Sequence, residues 1–136
     1  RATRPRVKLV KEIEEAVLPV AAVLESLKNS GAAVTILDLG SGKGILSILL
    51  AHLVPEGSTS RIVLVDYAWQ LDGPIAAKMA IKPDHLPAAN STAGVRLEPV
   101  KLNLLSSEVD DFIAEQCSDT PVLLVGVHLC KYLSAH

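Results

Sequence analysis

Residues 36–51, ILDLGSGKGILSILLA, place three glycines in five positions between two apolar runs. Glycine inside an element costs about 0.5–1 kcal/mol relative to alanine, so a cluster marks a backbone that must turn sharply or let something large approach. The run before it, AVTILDLG (33–40), is short, β-rich and apolar on both faces, as a strand buried in a parallel sheet should be. The run after it, KGILSILLAHL, sets Ile45, Ile48, Leu49 and either His52 or Leu53 in helical step. A strand that hands over to a helix through glycines confines the chain to a few α/β architectures.

The alternation continues downstream. RIVLVDY (61–67) reads as a second buried strand and PVLLVGVHL (121–129) as a fourth. Between them VRLEPVKLNL (95–104) reads as a weaker third strand, which Pro99 pushes towards a sheet edge or a bulge. Ser106 or Ser107 is expected to cap a helix carrying Val109, Phe112 and Ile113 on one face. Residues 68–94 hold three prolines and two glycines and read as loop, with at most one short helix around 74–82. Ahead of the glycine turn, Val10, Ile13, Val17, Val20 (or Ala21), Leu24 and Leu27 fall on one helical face. Pro19 predicts a kink there or a junction of two helices, and Ser30-Gly31 reads as a helix stop. The organisation predicted is a helical segment over 1–30 and an α/β domain over 31–136. Its parallel strands, flanked by helices, are expected in the order 3-2-1-4. Ligands of such sheets sit beyond the carboxyl ends of the strands, where the strand order reverses.

With 136 residues the chain suffices for one domain with a real core. Thirteen basic against fifteen acidic side chains leave a net charge of −2, which argues against a whole-surface grip on nucleic acid. The one basic cluster, Arg1, Arg4, Arg6 and Lys8, reads as a solvated terminus. Cys117 and Cys130 form no CxxC pair, in keeping with a reducing compartment. With His128 they make no recognisable zinc ligand set, so no metal is expected. No uninterrupted apolar run approaches the ~20 residues that cross a bilayer. The expectation is a soluble, cytoplasmic protein with no membrane contact, and Arg1 in place of methionine reads as a sign of a longer parent chain.

Three glycine-rich signatures compete for residues 38–44. A Walker A loop needs GxxxxGK followed by Ser or Thr, which Gly42-Lys43-Gly44 does not supply. The dinucleotide fingerprint GxGxxG, begun at Gly40, would need glycine where Ile45 stands, which weakens a nicotinamide cofactor and an oxidoreductase. What remains is an acidic residue followed by GxGxG: Asp38, Gly40, Ser41, Gly42, Gly44. Asp66 ends the second strand, where a carboxylate can accept hydrogen bonds from two ribose hydroxyls. Each residue also has a plain reading: Asp38 as a capping aspartate, Asp66 as a solvated strand end, and the glycines as a merely tight turn.

The DLGSGKG stretch resembles the first motif of class I S-adenosylmethionine-dependent methyltransferases. With LDLGSGKGILS, VLVD and GVHLC together, the chain is similar to one subgroup whose fourth strand ends in His-Leu-Cys-Gly, which includes acceptor-stem tRNA ribose 2′-O-methyltransferases. The likeness spans about residues 34–133, with Lys131 where the group has glycine. It implies a Rossmann-like sheet of seven strands, of which this chain reaches the fourth. It implies S-adenosyl-L-methionine held by Asp38, Gly40, Ser41, Gly42, Gly44 and Asp66, with Asn103 near the adenine. Asn103 has a plain reading as a turn former before Ser106. The likeness also implies a methyl acceptor, RNA or else protein or a small molecule, oriented or deprotonated by a catalytic His128. That histidine has a plain reading as a satisfied strand end. A non-catalytic methyltransferase-like scaffold is the remaining alternative, favoured by the missing strands.

Overall fold

The computed structural model describes residues 3–72, 80–87 and 94–126. The four short apolar runs become strands β1 (Val34–Leu39), β2 (Thr59–Val65), β3 (Arg96–Val100) and β4 (Val122–Val125). The periodic stretches become helices α1 (Thr3–Lys28), α2 (Ile45–Leu53) and α3 (Glu108–Gln116). All strand pairs are parallel and the order is β3-β2-β1-β4, the Rossmann-like arrangement of an α/β sheet. The strand order reverses at β1, between β2 and β4.

A parallel sheet needs cover on both faces, and alternation along each strand supplies it. Ile36 and Ile62 point to one side, where they pack with Ala16, Val20, Val23 and Leu27 of α1 and with Leu46, Leu50 and Ala51 of α2. Leu37, Val63 and Val65 point to the other, against Phe112 and Ile113 of α3 and Leu102 and Leu104 beyond β3. Each Leu, Ile or Val side chain fully buried this way contributes roughly 1.5–3 kcal/mol. Helix α1 therefore shares one core with the sheet. At the start of β1 the register with β2 slips between Val34 and Thr35, and Thr59 Oγ1 closes the irregularity by donating to the Val34 carbonyl at 2.6 Å.

Several local expectations are corrected. Helix α1 runs unbroken through Pro19 rather than splitting there. Its core stripe is Ala16, Val20, Val23 and Leu27, while Val10, Ile13 and Val17 are exposed. The stripe is rotated because α1 packs through its C-terminal half, where small Ala16 permits close approach. Gly31 is not among the described glycines with positive φ, so the end of α1 at Lys28 is not a left-handed glycine cap. Ser107 occupies the N-cap of α3 but makes no side-chain cap bond, and Glu108, Asp110 and Asp111 complement the helix dipole instead. Pro99 does lie on the edge strand, in register with Leu64. Of the short helix expected around 74–82, residues 80–82 are not helical, and Ile81 forms a β-bridge with Trp69; the rest lies outside the described residues. Among the described residues no helix is long and apolar enough to cross a membrane.

Candidate functional site

Between β1 and α2 the chain turns at Gly40, Gly42 and Gly44, with φ of 71°, 55° and 89°. Side chains rarely adopt these angles, so glycine is required by backbone geometry here. Gly44 has a second constraint. A Cβ built on it would lie within 3.0 Å of Leu64 Cδ2, so its bareness lets the start of α2 press against β2. Gly42 differs: a Cβ there would meet nothing within 4 Å, and its backbone is open to whatever approaches the turn.

The end of β2 braces this turn. The amides of Gly40 and Ser41 both donate to the Val65 carbonyl, at 2.8 and 3.1 Å. The buried Asp66 accepts from the Gly42 amide through Oδ2 at 2.8 Å and from the Ala68 amide through Oδ1 at 2.9 Å. Each carboxylate oxygen retains a second lone-pair direction for a further donor.

Asp38 lies behind the turn and is only 2% exposed. Its Oδ2 accepts from Ser47 Oγ of α2 at 2.7 Å, which ties the helix to the strand. Burial pushes the Asp38 carboxyl up to about 6; the Ser47 bond works against the rise and the charge of Asp66 adds to it. Two carboxylates thus flank the turn, one buried beneath it and one at its rim.

Beside Asp66 an open groove of about 60 Å³ runs between the turn and the segment after β3. Gly40, Asp66 and Tyr67 form one wall, and Leu102, Asn103, Leu104 and Leu105 the other. Asn103 is therefore at the groove, but its Oδ1 accepts from the Leu105 amide at 2.9 Å, so it also forms the turn expected of it. Lys101 Nζ donates to the Tyr67 carbonyl at 2.6 Å and sits 4.4 Å from the centre of the Tyr67 ring, fixing the exposed tyrosine at the groove mouth.

Of the residues singled out from sequence, the structure gathers Gly40, Ser41, Gly42, Gly44, Asp66 and Asn103 around one edge of the sheet, with Asp38 one layer below. His128 and Cys130 lie outside the described residues. Sequence reasoning missed Ser47, a hydroxyl in an otherwise apolar helix, which was itself a clue to a buried polar partner. It also missed His85, which donates through Nε2 to the Lys43 carbonyl at 2.6 Å from 42 residues away, a contact with no local sequence mark. Trp69 is fully buried and donates from Nε1 to Ser41 Oγ at 3.3 Å, so it packs under the turn. Compared with protein-family models, curated proteins and solved structures, the chain matches none.

Proposed function

We propose that this chain holds S-adenosylmethionine at the β1–α2 turn and belongs to a methyltransferase acting on RNA. The carrying observation is the joint between Asp66 and Gly42: a strand-end carboxylate and an open glycine backbone, bonded together beside the Asn103 groove. The residues suit a nucleoside. The free lone pairs of Asp66 can take ribose hydroxyls, and the bare Gly42 backbone admits close approach. The groove between Tyr67 and Leu104 offers apolar walls to a base. The N-terminus of α2 presents free amides to a carboxylate at the far end of the ligand. When bound, S-adenosylmethionine supplies an electrophilic methyl group carried on a sulfonium. Asp38 acts as a positioning residue, since its partner is Ser47 of α2. For His128 the support is the sequence resemblance alone, and its assigned role is to hold the acceptor hydroxyl or take its proton.

A nicotinamide dinucleotide is the second reading. Gly44 gives α2 the close packing on β2 that the third glycine of the dinucleotide fingerprint provides, although one position early. Calorimetry of the complete protein with S-adenosylhomocysteine and NAD in parallel separates the two. S-adenosylhomocysteine should bind, and Asp66→Ala should abolish that binding. Saturable binding of NAD alone overturns the proposal, and binding of neither favours a non-catalytic module. Labelled cofactor offered with separate pools of RNA, protein and metabolites then identifies the acceptor; label in protein alone ends the RNA reading. Full activity of His128→Ala would end the role given to that histidine.

A further inference from the structure

The glycine turn is held from two sides, and only one of them belongs to the strand that carries Asp66. After β2 the chain leaves the sheet, and residues 80–87 come back alongside it. Gln70 donates to the Ile81 carbonyl at 2.7 Å and Ile81 donates to the Ala68 carbonyl at 2.8 Å, a parallel bridge between Trp69 and Ile81. This return lays His85 over the outer side of the turn. Its Nε2–H donates to the Lys43 carbonyl at 2.6 Å, and its ring stacks on Trp69 with centroids 6.0 Å apart and planes 17° from parallel. Trp69 in turn donates from Nε1 to Ser41 Oγ. Leu86 Cδ2 lies 3.5 Å from the place a Gly44 Cβ would take.

We propose that His85 is a positioning residue for the ligand of the glycine turn, fixing the backbone of Lys43 from outside while Asp66 fixes Gly42 from inside. For the identity of that ligand the proposal rests on the nucleoside reading above. Ordering a residue's backbone costs roughly 1–2 kcal/mol, and glycine has the most freedom to lose. A ligand that lies against the backbone of 40–44 binds more tightly when the protein has already met that cost. The strap's contact with the turn is suited to this because His85 is itself exposed. Its removal empties no core, so its loss should act on the turn and not on the fold.

The test compares the complete protein with His85→Ala and His85→Gln, since a glutamine amide can restore an N–H donor near the Nε2 position without the stacked ring. S-adenosylhomocysteine should bind about tenfold more weakly to the alanine variant, the equivalent of about 1.4 kcal/mol for one lost hydrogen bond, and close to normally to the glutamine variant. Trp69 is the one tryptophan of the sequence, so the emission reports the surroundings of that ring, the His85 stack among them. It should shift in both variants, showing that affinity follows the hydrogen bond. Undiminished affinity in His85→Ala, or no recovery in His85→Gln, overturns the proposal. If the wild-type protein binds no S-adenosylhomocysteine, the cofactor reading fails, and exchange of the Gly42 and Gly44 amides then decides on His85. Faster exchange in the alanine variant, reversed by glutamine, supports its role, and unchanged exchange refutes it.

Discussion

Gly44→Ala should be far more damaging than Gly42→Ala, although both glycines have positive φ in the same turn. An L side chain at left-handed φ costs roughly 1–2 kcal/mol, and both variants carry that cost. Only at Gly44 does the new methyl overlap a neighbour, Leu64 Cδ2, on a fully buried side chain of β2. Overpacking a filled core adds about 1–3 kcal/mol, which brings the loss at Gly44 to roughly 2–5 kcal/mol. For a chain of this size each kcal/mol moves Tm by about 4 °C, so thermal unfolding should fall by roughly 8–20 °C in Gly44→Ala and by about 4–8 °C in Gly42→Ala. Adding Leu64→Val to Gly44→Ala removes the overlapping group. The double variant should lose at least about 1 kcal/mol less than the two single losses together. Equal losses at the two glycines, or strict additivity with Leu64→Val, would show that Leu64 gives way freely and that close packing of α2 on β2 does not explain Gly44.

The Asp38 carboxyl, pushed from 3.8 up to about 6 by burial, binds its proton more tightly in the folded state than in the unfolded one. Its favourable contribution is therefore present below pH 4 and lost as pH rises through 6. Against Asp38→Asn, the wild-type protein should lose on the order of 3 kcal/mol between pH 4 and 7 in urea unfolding, and a pH-independent difference would refute the assignment. Ser47→Ala deprives that carboxylate of its hydroxyl donor and should cost about 1–3 kcal/mol, more at pH 7 than at pH 5. Glu98 accepts from Arg61 at 2.6 Å and pairs with Arg96 at 3.0 Å, yet with its side chain 30% exposed Glu98→Ala should cost no more than about 1 kcal/mol. That small loss should shrink further in about 1 M salt.

The centre of the sheet was legible in the sequence because β1 and β2 are largely buried on both faces, and such strands advertise themselves as apolar runs. Pro99 foretold an edge because a residue without an amide proton cannot serve a central ladder. The glycine turn and Asp66 were legible as a pair because their chemistry is local to the ends of two strands. The stripe of α1 was not: valines and leucines occur all around that helix, and only the docking of Ala16 selects which of them face inward. Nor did anything near His85 announce its bond to Lys43, since that contact depends on how residues 80–87 return to the sheet. Asn103 shows the reverse case, in which both readings of one residue hold at once, a turn former that also lines the groove.

The position of β1 sets an order of assembly. On one side it meets β2, with Thr59 reaching Val34 across 25 residues; on the other it meets β4, with the Thr35 and Thr120 hydroxyls 3.0 Å apart across 85. Closing the longer loop costs about 1 kcal/mol more in chain entropy, before any contact rewards it. The β1–β2 pair with α2 is therefore the natural folding nucleus, and β4 the last strand to dock. Truncating Val63 to alanine should slow refolding, whereas truncating Leu123 should chiefly hasten unfolding; the opposite pattern would place the nucleus on the β4 side. In a chain built this way the glycine turn belongs to the half that forms first, so it takes shape before the sheet is complete.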